Sequence, residues 1–248
     1  MITVYQDDAV TLLHGDTWEW LASGEACDVD AVITDPPYSE RVEKGFRSGS
    51  DVSYQCGMGY EPLTESQARS LACNTASLAR GWVVICGDHI TMRWYEEELA
   101  AIGRYVFPPI PLVKTKTARM AGDGPPQCSE WMMVARPRSK AFLGAWKNME
   151  GWYYFETVRH GHGYVGVRGC KSLALMRAIV RDYTRPGDLV LDPFCGSGTT
   201  ALACRMEGRR CITIERDPAT VEIAHRRLSL TPLETARGQM SLLDGVSG

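Results

Sequence analysis

The segment that most constrains the fold is residues 189–200, where a short apolar run leads into a glycine-containing turn and then into a helix. The run at 189–191 is typical of a buried strand, and Gly196 and Gly198 allow a tight turn that a ligand can approach closely. Thr199 begins the predicted helix, whose first N–H groups have no partner within the helix and therefore favour a carboxylate. This order of elements is typical of α/β folds that bind a nucleotide-like ligand at the end of a strand.

An acidic residue after the next predicted strand strengthens this interpretation. Residues 210–214 are predicted to form that strand, and Glu215 stands at its end. A carboxylate in this position can accept hydrogen bonds from both hydroxyls of a ribose. The main alternative is a nucleotide-binding oxidoreductase, which is disfavoured because the full dinucleotide fingerprint and a second mononucleotide half are missing.

A second motif, Asp35-Pro36-Pro37-Tyr38, follows a compact apolar strand at 30–34. The Asp35 carboxylate and the Pro36 carbonyl can accept the two N–H protons of an amino group on an aromatic base. Those bonds favour a pyramidal nitrogen, whose lone pair is then localised for in-line attack on a methyl group. The prolines hold the carbonyl at a fixed angle, and Tyr38 offers a flat face for stacking. An ordinary Pro-Pro turn is the alternative, and the position after a buried strand argues against it.

The rest of the chain alternates helices and strands, which predicts a mostly parallel sheet covered by helices on both faces. Helices are expected at 66–80, 90–102, 173–183, 199–207 and 218–230, and further strands at 10–13, 82–86, 130–135 and 188–191. Residues 105–113 are extended but contain three prolines, so they are expected to be irregular or to lie at a sheet edge.

Three parts of the chain are predicted. Residues 1–136 and 171–230 form the catalytic domain, 137–170 form a small insert, and 231–248 form a flexible tail. Residues 114–171 hold ten Lys and Arg against four acids, although the whole chain has a net charge of −3. A segregated basic segment can attract phosphate, and a solvated basic face without a partner is the alternative. For the aromatic residues 152–155 in the insert, core packing is favoured over base stacking.

Composition excludes several other classes of protein. The nine cysteines form no Cys-x-x-Cys pair, which argues against a zinc site or a disulfide framework and favours a reduced cytoplasm. His160 and His162 have the spacing of metal ligands, but a surface loop is the preferred interpretation and no metal is expected. The N-terminus lacks the pattern of a signal peptide, and no apolar run reaches membrane-spanning length, so no membrane association is expected.

Taken together, the two motifs and their order resemble the amino-methyltransferases of DNA, in the group whose catalytic motif precedes the cofactor motif. The resemblance runs from about Leu12 to Leu228. It implies S-adenosylmethionine as cofactor, double-stranded DNA as substrate, and a permuted Rossmann-like methyltransferase fold with a mixed seven-stranded sheet. The order also implies neighbouring strands before Asp35 and Asp192, because both residues must face one cofactor.

The resemblance implies roles for individual residues. The catalytic residues would be Asp35, Pro36, Pro37 and Tyr38. The cofactor-binding residues would be Asp16, Asp35, Lys171, Asp192, Pro193, Phe194, Cys195, Gly196, Ser197, Gly198, Thr199, Glu215 and Arg216. Ser172 stands where the family usually has a proline after the lysine, and the strand that begins at Glu130 is expected near the target pocket.

The nature of the substrate base is less constrained. Asp at the first motif position is similar to adenine-N6 enzymes more often than to cytosine-N4 enzymes, so adenine N6 is the leading expectation. Cytosine N4, RNA, and a catalytically silent subunit that binds cofactor and DNA are the alternatives. A protein-glutamine methyltransferase is disfavoured, because that family typically has Asn before Pro-Pro-Tyr and places the glycine motif first.

Other segments suggest contacts beyond the catalytic domain. The insert occupies the position of the family's target-recognition region, and its shortness predicts a short recognition site, loose specificity, or a homodimer that shares the work. Residues 39–62 are expected to form a loop that closes over DNA. Gln239 to Leu243 resemble the short peptide by which bacterial DNA enzymes bind the sliding clamp, and an unremarkable tail is the alternative.

Overall fold

The computed structural model describes residues 1–23, 28–42, 60–115, 128–140, 142, 146, 148–156 and 169–230. Its strands are β1 Ile2–Gln6, β2 Val10–His14, β3 Ala31–Thr34, β4 Val83–Gly87, β5 Tyr105–Val106, β6 Ile110–Thr115, β7 Ser129–Arg136, β8 Tyr153–Glu156, β9 Leu189–Asp192 and β10 Arg210–Glu215. Its helices are α1 Thr17–Ala22, α2 Glu65–Leu78, α3 His89–Ala101, α4 Leu173–Tyr183, α5 Thr199–Met206 and α6 Pro218–Ser229.

One mixed sheet organises these elements, in the order β1-β2-β10-β9-β3-β4-β7-β6-β8, with β5 paired to β7. The central strands β2, β10, β9, β3 and β4 are parallel, whereas β7 is antiparallel to β4 and β6. Although β9 lies far from β3 in the chain, the two strands pair directly. The predicted mixed sheet is therefore confirmed, as is the adjacency of the strands that carry the two motifs.

The sheet has more strands than the expected seven. The run from β2 to β6 in the sheet order contains seven, and β1, β5 and β8 are added to it. β1 is largely exposed and therefore carries no apolar run that would reveal it. β8 comes from the predicted insert, and it extends the sheet by pairing in parallel with β6. The described part of the insert is thus continuous with the catalytic domain's sheet.

The expectation for residues 105–113 is partly wrong. Residues 110–115 form β6, which lies between β7 and β8 rather than at the edge of the sheet. Pairing with β8 begins only at Leu112, so Pro111 lies where one side of β6 has no neighbour. A proline, which lacks an N–H donor, is tolerated at such a place.

Two hydrophobic cores lie on opposite faces of the sheet. Side chains alternate between them along β4, where Val83 and Ile85 belong to one core and Val84 and Cys86 to the other. Helices α1, α2 and α3 cover the first core, and α4, α5 and α6 cover the second. A strand that is buried on both faces does not alternate between apolar and polar residues. This is why the sequence of β4 is a continuous apolar run. Among the described helices, none is long and apolar enough to cross a membrane.

Candidate active site and cofactor pocket

Both sequence motifs lie at the carboxyl ends of neighbouring parallel strands. Asp35 follows β3 and Asp192 ends β9, and the Thr34 hydroxyl donates a 2.7 Å hydrogen bond to Asp192 Oδ1. Thr34 and Asp192 are both buried. Open α/β sheets bind ligands at this edge, so one ligand can contact both motifs.

The glycine turn after β9 has the backbone that its sequence predicts. Gly196 (φ +51°) and Gly198 (φ +79°) are left-handed, and Gly198 is the N-cap of α5. In the described part of the chain, a Cβ added at Gly196 would meet no atom within 4 Å. Gly196 is therefore required for its conformation, and the space beside it is open to a ligand. The free N–H groups of α5 also fit the methionine carboxylate of S-adenosylmethionine.

Glu215 is held at the end of β10 by three backbone N–H groups. Its Oε2 accepts from Gly196 at 2.9 Å, and its Oε1 accepts from Arg216 and Asp217, each at 2.9 Å. Burial raises the pKa of Glu215 and outweighs these hydrogen bonds, which favour the ionised form. The carboxylate is thus pre-oriented beside the glycine turn, as binding a ribose requires.

Asp192 is buried at the end of β9, directly before the glycine turn. Besides Thr34, its Oδ1 accepts from the Phe194 N–H at 3.2 Å. Burial raises the pKa of Asp192 to about 7, although hydrogen bonds from Thr34, Thr200 and Phe194 oppose the rise. A cationic ligand group would stabilise its ionised form, which fits the charge of the cofactor.

The remaining cofactor-motif residues divide into side-chain and backbone roles. The Thr17 hydroxyl donates to the Pro193 carbonyl, and the Phe194 ring packs edge-on against Trp18 with centroids 5.9 Å apart. Cys195 is buried, and burial raises the pKa of its thiol, so its side chain belongs to the core. The predicted cofactor role of Cys195 can therefore involve only its backbone.

A half-buried arginine supports the second half of the glycine turn. Arg227 of α6 donates to the Ser197 carbonyl at 2.6 Å, to the Ser197 hydroxyl at 2.7 Å and to the Thr199 hydroxyl at 3.1 Å. Ser197 and Thr199 thus face Arg227 through their side chains. Nothing in the local sequence singled out Arg227.

The Gly15-Asp16 turn lies beside the end of β10, as its predicted role at the cofactor requires. The Gly15 N–H donates to the Glu215 carbonyl at 3.0 Å. Asp16 caps α1, since its Oδ1 accepts from the Trp18 N–H at 2.7 Å. The Arg216 guanidinium lies 4.0 Å from the other Asp16 oxygen and is half exposed.

The catalytic motif is surrounded by charged groups from other elements. Lys171, immediately before α4, donates to both Asp35 oxygens and to the Tyr38 hydroxyl, each at 2.7 Å. Lys171 also lies 2.9 Å from Glu130 Oε2, which accepts the Tyr38 hydroxyl at 2.8 Å. Lys114 of β6 pairs with the other Glu130 oxygen at 2.6 Å.

The pKa values of these groups follow from burial and from their neighbours. Burial works to raise the pKa of Glu130, but Lys171 and Lys114 outweigh it and lower that pKa to about 2. Burial also raises the pKa of Asp35, and Lys171 only partly offsets the rise. Lys171 would lose its proton more easily through burial alone, but Asp35 and Glu130 keep its pKa well above the usual range.

The described contacts of the Lys171 ammonium are therefore with the catalytic motif and Glu130, whereas its predicted role at the cofactor stays a prediction. Glu130 lies in this cluster, as the resemblance led us to expect. Lys114 was not predicted, because in the sequence it is only one of ten basic residues in the segment 114–171. Asp88 was also missed. Its Oδ2 accepts the Ser39 N–H at 2.8 Å, which ties the chain after the catalytic motif to the N-terminus of α3.

Several predictions fall on residues that the structure does not describe. Residues 43–59 of the expected DNA-closing loop lie outside the described residues, as do His160, His162 and the tail segment Gln239 to Leu243. Within the described ranges, no cluster of His, Cys, Asp and Glu could hold a metal ion. The aromatic residues 152–155 of the insert lie within the described residues. Tyr153 and Phe155 are buried as expected, whereas Trp152 and Tyr154 are exposed.

A left-handed glycine turn, an acidic residue held by backbone N–H groups and the Asp-Pro-Pro-Tyr motif lie at one sheet edge. This is the arrangement that the sequence predicts for an S-adenosylmethionine-dependent amino-methyltransferase, and the fold is of that class. The family model of the N6 and N4 methyltransferases, described as DNA methylase, matches residues 103–226, which is half of the chain. The chain belongs to the DNA amino-methyltransferase family.

Individual relatives agree with this assignment. The putative methylase YubD of Escherichia coli K12 is 26% identical over 207 residues, which cover 82% of this chain and 83% of that protein. The Type II methyltransferase M.Cfr9I of Citrobacter freundii is 34% identical over 110 residues, which cover 37% of each protein.

Solved structures share the fold over most of the chain. The M1.HpyAVI complex with S-adenosylmethionine has a TM-score of 0.67 and 26% identity, and it covers 89% of this chain and 100% of its own. The PvuII DNA methyltransferase, described as cytosine-N4-specific, has a TM-score of 0.65 over 98% of this chain and 95% of its own. Its identity is 16%, so this likeness concerns the fold alone.

Proposed function

We propose that the enzyme transfers a methyl group from S-adenosylmethionine to N6 of adenine in double-stranded DNA. The observation that carries the proposal is the junction of the two motifs, where Thr34 hydrogen-bonds Asp192 at 2.7 Å directly before Asp35. This junction supports the proposal, because it brings Asp35 close to the end of β9, where the cofactor would bind. Adenine is favoured over cytosine because Asp35, rather than Ser, precedes Pro-Pro-Tyr.

The catalytic residues act by positioning the amine. Asp35 and the Pro36 carbonyl accept its two N–H groups, and the nitrogen lone pair is thereby directed at the methyl group that the cofactor supplies. Tyr38 stacks on the base, which must leave the duplex because its amine is inaccessible within the helix. Once the nitrogen has been methylated it is positively charged and loses a proton readily, so a separate strong base is unnecessary.

The cofactor would be held by groups that are already oriented. The N–H groups at the start of α5 would bind its carboxylate, Glu215 would bind its ribose hydroxyls, and Asp192 would face its positive charge. Asp16 lies near Glu215 and would complete the same side of the pocket. These assignments rest on the geometry of the chain's own residues.

Asp35→Ala tests the catalytic role. Loss of one hydrogen bond made chiefly in the transition state costs about 1.5–3 kcal/mol, so the rate should fall about tenfold to hundredfold. Binding of S-adenosylmethionine should change little, as measured by calorimetry. Near-wild-type incorporation of labelled methyl into DNA by Asp35→Ala would show that the mechanism is wrong.

The target base is tested by modification-sensitive sequencing of DNA from cells that express the chain or its Asp35→Ala variant. We expect N6-methyladenine in a defined sequence context with the wild type only. Methylation at cytosine N4 would overturn the choice of base and leave the mechanism intact. If purified protein bound the cofactor but modified neither DNA nor RNA, the chain would be a silent subunit.

We also infer a cytoplasmic enzyme that works on bacterial or phage DNA, with a homodimer and a clamp contact through Gln239 to Leu243 as two further predictions. Sedimentation of the purified protein with a DNA duplex tests the homodimer. A pull-down with purified sliding clamp tests the clamp contact, and a negative result for the full chain would contradict it.

A further inference from the structure

Four charged side chains of alternating sign are linked by successive ion pairs, and the last of them, Asp35, belongs to the catalytic motif. Lys114 pairs with Glu130 at 2.6 Å, Glu130 with Lys171 at 2.9 Å, and Lys171 with Asp35 at 2.7 Å. The four residues come from four different parts of the sheet edge, namely β6, β7, the start of α4 and the end of β3. Lys171 is the most buried of them, with only 6% of its side chain exposed.

The ammonium of Lys171 has more acceptors than it can use. It carries three N–H groups. Four oxygens lie within 2.9 Å of it, namely the two of Asp35, the Tyr38 hydroxyl and Glu130 Oε2. One Asp35 oxygen can therefore turn to another donor while every Lys171 N–H keeps a partner. A buried donor left without a partner would be costly, and this arrangement avoids that cost.

Lys171 also favours the ionised form of Asp35. Burial raises the pKa of Asp35, and Glu130 raises it further, whereas Lys171 lowers it. A protonated Asp35 would have one oxygen fewer to accept an N–H. Among the described residues, ionisable side chains that interact electrostatically with Asp35 include Lys171, Glu130, Tyr38, Cys86, Tyr95 and Asp192. Among these groups, Lys171 supplies the positive charge.

We propose that Lys171 is a positioning residue for methyl transfer. It keeps Asp35 ionised, and it releases one Asp35 oxygen so that this oxygen can accept an N–H of the substrate amine. Glu130 and Tyr38 hold the ammonium in place during this exchange, and Lys114 balances the charge of Glu130. The proposal rests on the proposed function in that Asp35 must accept an amine, but it holds equally for adenine and cytosine. It gives Lys171 a role distinct from the cofactor role that its sequence position suggests.

The first test compares Lys171→Met with the wild type in single-turnover methyl transfer between about pH 5.5 and 9.5. Methionine keeps most of the length of the side chain and removes its charge. At neutral pH we expect the rate of Lys171→Met to be about tenfold or more below that of the wild type. Without the Lys171 charge the pKa of Asp35 rises, so the inflection in the pH–rate profile should move to higher pH, and the rate should recover above it. The Kd for S-adenosylmethionine should change by less than about threefold.

Two further variants separate charge from packing. Lys171→Met combined with Glu130→Gln removes the negative charge that the single change leaves behind, so the inflection should move back toward lower pH. This double variant also guards against failure of the single variant to fold. Lys114→Met removes a cation that pairs with Glu130 and not with Asp35. The inflection in the pH–rate profile of this variant should therefore move less than that of Lys171→Met.

Two results would overturn the proposal. One is a pH profile of Lys171→Met that matches the wild type. The other is a Kd for S-adenosylmethionine weakened about tenfold with an unchanged inflection, which would place Lys171 in the cofactor pocket. If the wild type transferred no methyl group, the proposed function would fail by itself. NMR titration of isotope-labelled aspartate, assigned with Asp35→Asn, would then still measure whether Lys171→Met raises the pKa of Asp35.

Discussion

Replacement of Asp192 by asparagine should change how the free energy of unfolding depends on pH. Asp192 is buried, and its Oδ1 accepts hydrogen bonds from the Thr34 hydroxyl and the Phe194 N–H. The amide oxygen of asparagine can accept the same two bonds, and its NH₂ group can donate to the Thr200 hydroxyl, which bonds Asp192 in the wild type. The substitution therefore removes a titrating group with little change in packing.

The magnitude follows from the pKa of Asp192. Burial raises that pKa from 3.8 to about 7 in the folded protein. Between these values the folded state binds a proton that the unfolded state has lost, so the free energy of unfolding falls as pH rises. One pKa unit corresponds to about 1.4 kcal/mol, so Asp192 should remove up to about 4 kcal/mol between about pH 4 and pH 7.

Urea unfolding of both proteins, followed by tryptophan fluorescence between about pH 4.5 and 8.5, measures this effect. Acids that do not interact with Asp192 contribute equally to both proteins, so the difference in free energy of unfolding reports Asp192 and its interaction with Asp35. We expect Asp192→Asn to gain stability relative to the wild type as pH rises, with a plateau above about pH 7. A difference that stayed constant across this range would refute a raised pKa for Asp192.

Three further substitutions test the supports of the site. Glu215→Gln should weaken binding of S-adenosylmethionine about tenfold to hundredfold in calorimetry, because the amide turns an N–H toward a backbone N–H; a change below about twofold would contradict this role. Arg227→Met should raise the same Kd about fivefold, since it frees the glycine turn, and an unchanged Kd would show that the turn holds itself. Asp88→Asn and the matched control Asp217→Asn should each keep a helix cap, because asparagine caps a helix about as well as aspartate. Only Asp88→Asn should slow methyl transfer, because the NH₂ group that replaces Oδ2 cannot accept the Ser39 N–H. Equal rates for these two variants would count against that bond.

The elements of the catalytic domain could largely be predicted from local sequence. Helices at 173–183 and 218–229 and the strand at 189–192 agree with their predicted positions within one or two residues. A buried strand or amphipathic helix leaves its own apolar pattern, and that pattern does not depend on distant residues. β1 was missed for the same physical reason, since an edge strand that is mostly exposed has no such pattern.

The two motifs and their order determined the chemistry and the need for β3 and β9 to be neighbours. Only the tertiary structure decided which charged groups surround Asp35. Lys171 lies 136 residues from Asp35 in the chain, and Lys114 and Glu130 come from two further strands. Side chains so far apart are brought together by the order of strands in the sheet, and no local pattern records that order. Glycines and prolines that shape a turn act within a few residues, whereas the charge of a buried carboxylate depends on every element packed around it.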